Sequence, residues 1–178
     1  VVDPANRVRI EPLALQGYAI TARPKERALD LRKVLEFRLP PPCALISHDV
    51  VTVMGVAPSR WFILGTTLPE RSALQEACGD RALVSAIESV WQYYALRGAA
   101  APEVLASLVA IDLAPDAFGS TACAITAAGP YDLLVWRLRG EEAGFGIGVA
   151  RSLSRDFHVW LEEAVHFRSD RGGRRGGR

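Results

Sequence analysis

The side chains able to do chemistry are few and scattered. The histidines are His48, His158 and His166. The last two share one helical pattern but stand eight residues apart, not the four that put two imidazoles on one helix face for a metal. His166 follows Glu162 by four residues, which predicts an ordinary surface pair. Cys43 follows Pro40-Pro41-Pro42, and its nearest imidazole in sequence is His48, so a nucleophilic thiol there lacks a base. Ser120 and Ser152 lie in no G-x-S-x-G elbow. Gly144-Phe145-Gly146-Ile147-Gly148 has the wrong spacing for a dinucleotide loop and falls within a strand pattern. A strand whose glycines admit a second backbone at close range is the expected reading. These tests assign no catalytic, cofactor-binding or metal-binding residue.

Composition narrows the classes further. The 178 residues are 49% hydrophobic and 23% charged, ordinary for a globular chain of one domain or two small lobes. The formal charge of +1 hides an asymmetry. Arg168, Arg171, Arg174, Arg175 and Arg178 against Asp170 place about +4 in the last segment, leaving the body near −3. The body carries no nucleic-acid footprint, and the Arg/Gly segment 168–178 lacks the interleaved aromatics of an RNA-stacking tail. It is expected to be a flexible end. No apolar run approaches the roughly 20 residues of a membrane helix. Cys43, Cys78 and Cys123 are odd in number and widely spaced, which argues against a disulfide framework and for a reducing, cytoplasmic setting.

The elements that must carry these residues follow from period and punctuation. Residues 1–44 are expected to be an extended arm, broken by Pro4, Pro12, Pro24 and Pro40–Pro42 and laid on a partner surface. Within it, 26–39 fits a helix or a strand equally. Residues 45–167 read as an α+β domain in two lobes. A hairpin spans 49–65 about Pro58-Ser59, and a helix follows, ending at Gly79, its start marked by the capping-box spacing of Thr67 and Glu70. One long or two short strands occupy 83–96. A helix spans about 101–109, with Pro102 in its first turn. Strands at 121–128, 131–139 and 144–149 precede a closing helix over 154–167, where Phe157, Trp160, Leu161 and Ala164 recur at i, i+3, i+4, i+7. Hairpins outnumber crossovers, the mark of an α+β fold.

The last third carries a further signal. Asp112-Leu113, Pro115, Phe118, Cys123-Ala124, Leu133-Leu134, Trp136-Arg137, Gly144-Phe145, Arg151-Ser152 and Trp160-Leu161-Glu162 stand in the order of one family. With Trp61–Leu64 before them, they make the chain resemble the gamma subunit of heterotetrameric sarcosine oxidase. The resemblance covers roughly residues 60–165 and is dense from 112 onward. It implies ferredoxin-like halves resembling the folate-binding aminomethyltransferase domain. It implies a small noncatalytic subunit of a complex that demethylates sarcosine oxidatively to glycine, with folate-linked or free formaldehyde as the one-carbon product. Alpha, beta and delta subunits would be its partners, and FAD, FMN, NAD, zinc and tetrahydrofolate would sit on them, none on this chain. The competing readings are a stand-alone folate-binding or aminomethyl-transfer module, a gamma-like subunit of a related N-methyl amino acid dehydrogenase, and an RNA-associated protein acting through the Arg/Gly tail.

Overall fold

The computed structural model describes residues 8–23, 29–140 and 144–175, with side chains placed as far as residue 167. Its elements are β1 (Arg9–Leu13), β2 (Gln16–Ala22), α1 (Arg32–Leu35), β3 (Leu45–His48), β4 (Val51–Ala57), β5 (Arg60–Gly65) and α2 (Arg71–Cys78). These are followed by β6 (Ala82–Ala86), β7 (Trp91–Arg97), α3 (Ala101–Ala106), β8 (Cys123–Ala128), β9 (Tyr131–Arg137), β10 (Gly144–Ala150) and α4 (Ser154–Arg175). The chain divides into two compact units, one of Val1–Leu13, Trp91–Ser120 and Ile125–Arg178, the other of Ala14–Val90 and Thr121–Ala124.

The second unit is built on a five-stranded sheet in the order β3-β4-β5-β2-β6. Its registered pairs are all antiparallel. Ile20, Val53, Ile63 and Val84 point to one face, where Leu31 and Leu35 of the α1 region and Leu74 and Cys78 of α2 close over them. Leu74 and Cys78 are wholly buried, as their spacing predicts. Burying each such aliphatic side chain contributes roughly 1.5–3 kcal/mol. Gly79 ends α2 at φ 55, the positive φ expected of a terminating glycine.

Two expectations fail here for physical reasons. The N-terminal segment is no extended arm: β2 lies between β5 and β6, and Ile20 is fully buried in the chain's own core. The prolines do not forbid this. Pro12 falls on β1, an end strand where a missing N–H goes unused, and Pro40–Pro42 fall between α1 and β3. Pro4 and Pro24 lie outside the described residues. The capping box also fails: α2 begins at Arg71, a turn too late for Thr67, and its start has no side-chain cap. Gln75 has a use that its spacing gave no hint of. Its amide donates to the Ala82 carbonyl at 3.0 Å and accepts from the Val84 N–H at 2.9 Å. One side chain thus pairs with the outer edge of β6 as a neighbouring strand would, which closes an edge open to aggregation.

The first unit carries the sheet β1-β7-β10-β9-β8. Phe145, Ile147 and Val149 alternate along β10 and are fully buried, with α3 and α4 packed on the strand. Phe157 and Leu161 bring the buried stripe of α4, and Phe157 reaches the Tyr94 ring at 6.2 Å. Pro102 sits in the first turn of α3, as expected. The helix α4 continues past Phe167 to Arg175, so the backbone of 168–175 belongs to it instead of to a free tail. Residues 176–178 lie outside the described residues.

Candidate functional site

Apart from Cys123-Ala124, which belong to the second unit, the residues of the run from Asp112 to Trp160 lie in the first unit, and there they build framework. Asp112 accepts the Ala114 N–H at 2.8 Å, and the Ala117 and Phe118 N–H groups both bond the Ala114 carbonyl, folding the loop on itself. Arg137, directly across from Phe145 in the β9–β10 register, clamps that loop. Its Nε donates to the Phe118 carbonyl and its Nη2 to the Leu113 carbonyl at 2.5 Å. Its guanidinium lies 4.8 Å from the Phe145 ring centre, a cation–π contact. Arg151 does similar work at the start of α4, donating to the Trp91 carbonyl at 3.1 Å and to Gln92 Oε1 at 3.2 Å. Trp160 packs on Tyr131 at 5.5 Å and against Gly129, whose φ of 57 suits the turn before β9.

The Arg137 clamp gives a measurable expectation. Arg137→Met keeps the stem and removes the fork, leaving two carbonyls without their donors. Loss of both bonds and the cation–π contact should lower unfolding stability by about 3 kcal/mol. Arg137→Lys should recover little of it, because an ammonium cannot reach two diverging carbonyls as a planar fork does. Urea midpoints of the three proteins check this; a Met variant as stable as the parent would refute the clamp.

The glycine strand proves to be an aromatic cradle. Gly146 lies opposite Trp136 and Gly148 opposite Tyr93 in register. A Cβ on Gly146 would fall 2.0 Å from the Trp136 ring, and one on Gly148 would fall 3.1 Å from the Tyr93 ring. Side-chain rings, not a second backbone, occupy the space these two glycines leave. The expectation of close backbone approach holds at Gly144 alone, where a Cβ would meet the Leu96 carbonyl at 3.1 Å.

The titratable groups are dispersed. His48 stands 3.5 Å from Asp49, both well exposed. Glu162 pairs with His158 at 3.4 Å, one helical turn before it; the expected partner had been His166, one turn after. His158 also stacks on Tyr94 at 5.3 Å, which fixes its side. Among the described residues no three His, Cys, Asp or Glu side chains gather as metal ligands. Burial pushes the Cys78 thiol up, and it pushes Cys123 up to about 12, with a smaller contribution from Cys43. Ser152 lies in the turn Arg151–Leu153. No helix among the described residues is long and apolar enough to cross a membrane.

An open cleft of about 840 Å³ in the second unit is lined by Asp30, Arg32, Arg38, Ser59, Trp61 and the proline run. Its carboxylate is already engaged. Arg32 grips Asp30 through Nη2 at 2.6 Å and Nε at 2.9 Å, and these bonds hold the Asp30 carboxyl well below the usual range. Such a carboxylate makes a poor general base near neutrality. Trp61 donates its indole N–H to the Pro40 carbonyl at 2.8 Å and so serves the wall of the cleft.

No family model matches the sequence, and the curated proteins yield no significant match. Solved structures do. The chain is similar to one in the heterotetrameric sarcosine oxidase from Corynebacterium sp. U-96, solved with pyrrole 2-carboxylate, at a TM-score of 0.82 and 23% identity. That alignment covers 94% of this chain and 88% of the other. It is also similar to the glycine cleavage system aminomethyltransferase T from Bartonella henselae, at a TM-score of 0.58 and 16% identity. There the alignment covers 88% of this chain but 45% of the enzyme. The fold is therefore α+β, with two antiparallel sheets, of the aminomethyltransferase-like type.

Proposed function

We propose that this chain is the gamma subunit of a heterotetrameric sarcosine oxidase, serving as a framework element that contributes no reacting group. One observation carries the reading. The chain matches a sarcosine oxidase chain nearly end to end, 94% of one against 88% of the other, while it spans only 45% of the aminomethyltransferase. The residues that carry the family resemblance support the same reading: Arg137, Arg151 and Trp160 spend their polar and aromatic groups on the chain's own backbone and rings.

In this reading the complex demethylates sarcosine oxidatively to glycine in the cytoplasm. The alpha, beta and delta subunits bind FAD, FMN, NAD, zinc and tetrahydrofolate, and this chain binds none of them. Nucleic acid is not a partner. The direct check is the isolated protein. Purified alone, it should be colourless, release no flavin on denaturation and leave sarcosine unchanged. A yellow protein with stoichiometric flavin would overturn the assignment of cofactors to the partners.

A further inference from the structure

We propose that Cys43 and Cys123 form a redox pair, held as thiols at rest and joined into an intrachain disulfide by peroxide. Their distance in sequence conceals the pairing; the backbone register reveals it. The Leu45 N–H bonds the Thr121 carbonyl at 2.7 Å and the Cys123 N–H bonds the Cys43 carbonyl at 3.1 Å, on either side of an antiparallel bridge between Ala44 and Ala122. That register sets Cys43 directly across from Cys123. One of the two bonds of such a pair is made, from the Cys123 N–H to the Cys43 carbonyl, while Cys43 turns out of the strand at φ 62 and gives its own N–H to Gly55. A pair making both bonds has Cα atoms about 5.5 Å apart, inside the window of about 4.4–6.8 Å that a disulfide spans.

The side chain of Cys123 is aimed at the same place. Its Sγ lies 3.4 Å from the Ala44 carbonyl and 3.8 Å from the Gly55 carbonyl. The Gly55 carbonyl also receives the Cys43 N–H at 2.7 Å, so both residues meet on one backbone oxygen. Cys43 adds a smaller contribution to the raised Cys123 thiol, behind burial. The two differ in access: Cys43 is exposed and Cys123 is buried. Cys78 is buried at the end of α2 and serves as an internal control.

The exposed thiol meets the oxidant. The Cys43 thiolate attacks the terminal oxygen of a hydroperoxide and the O–O bond breaks. Cys43 becomes a sulfenic acid, and the peroxide, taking up two electrons, becomes an alcohol or water. The Cys123 sulfur then attacks the Cys43 sulfur, the S–O bond breaks, and the departing hydroxide leaves as water with the Cys123 proton. The second step is limited by the buried thiol. Its rate should climb about tenfold per pH unit through the mildly alkaline range, where the thiolate fraction of Cys123 grows in proportion.

The test uses the full chain. It is treated with hydrogen peroxide, quenched with an alkylating agent and digested without reductant. The expected product is one peptide pair joined through Cys43 and Cys123, with Cys78 alkylated and the chain still monomeric on a nonreducing gel. Closing so long a loop should raise the Tm by roughly 10 °C, an increase that dithiothreitol abolishes. In Cys123→Ala, Cys43 should persist as a sulfenic acid that dimedone traps. Two results on the unsubstituted chain would overturn the proposal. One is Cys43 oxidised to sulfinic acid while Cys123 is recovered as a free thiol. The other is a Cys43–Cys43 bond between two chains.

Discussion

Gly146→Ala should lower the unfolding stability of the chain by about 3 kcal/mol, a large effect for a single methyl group. A Cβ at this position falls 2.0, 2.2 and 2.6 Å from three Trp136 ring atoms, none of which is a flexible tip. Trp136 is nearly buried and meets Tyr93 edge-on at 6.3 Å, so the ring cannot swing without disturbing a second aromatic. Backbone preference is not the cause, since alanine suits a strand no worse than glycine does. A double-mutant cycle separates the two explanations. Trp136→Leu clears the space, so in its presence Gly146→Ala should cost little, a coupling of about 2 kcal/mol. Additive losses would show that the ring is not what the glycine accommodates.

Gly55→Ala should cost still more, about 4 kcal/mol, because here the obstacle is backbone. A Cβ would lie 2.2 Å from the Pro41 carbonyl oxygen and 2.7 Å from its carbon. Gly55 is clasped on both sides: it accepts from Cys43 and donates to the Ala44 carbonyl at 2.8 Å. Moving the proline run to make room pulls the Pro40 carbonyl from the Trp61 indole. The variant should therefore show a red-shifted tryptophan emission as well as a lower urea midpoint. Near-parental stability would mean that the proline run yields easily, against the geometry.

These two glycines mark where the sequence could and could not be read. The i, i+3, i+4, i+7 spacing of α4 foretold the burial of Phe157 and Leu161, and the hairpin about Pro58-Ser59 was legible because β-branched runs flank a turn pair. β2 was not legible. Gly17 and Ala19 are buried on the face of β2 opposite Ile20, and a Cβ on Gly17 would sit 2.9 Å from both Ile87 and Leu64. A central strand made of small residues reads as an arm, and prolines on either side strengthen that impression. Glu162 pairs with His158, whose imidazole stacks on Tyr94, where the spacing read in the sequence had paired it with His166. The Trp136-Arg137 pair stood out in the sequence, yet only register shows Arg137 gripping the Leu113 and Phe118 carbonyls. Gln75 gave no signal at all, since its partners are backbone atoms of a strand edge. The same holds for Cys43 and Cys123, whose opposition exists only once two distant segments are in register.

In the proposed reading this chain completes a flavoprotein assembly through its fold and not through chemistry of its own. The most direct measurement is the mass and subunit content of the complex, by light scattering and denaturing gel, after coexpression of the partner subunits with and without this chain. With it, all four chains should co-elute in equal amounts and oxidise sarcosine. Without it, the assembly should fall to smaller species. A fully active complex formed in its absence, or this chain eluting alone beside an intact one, would contradict the account.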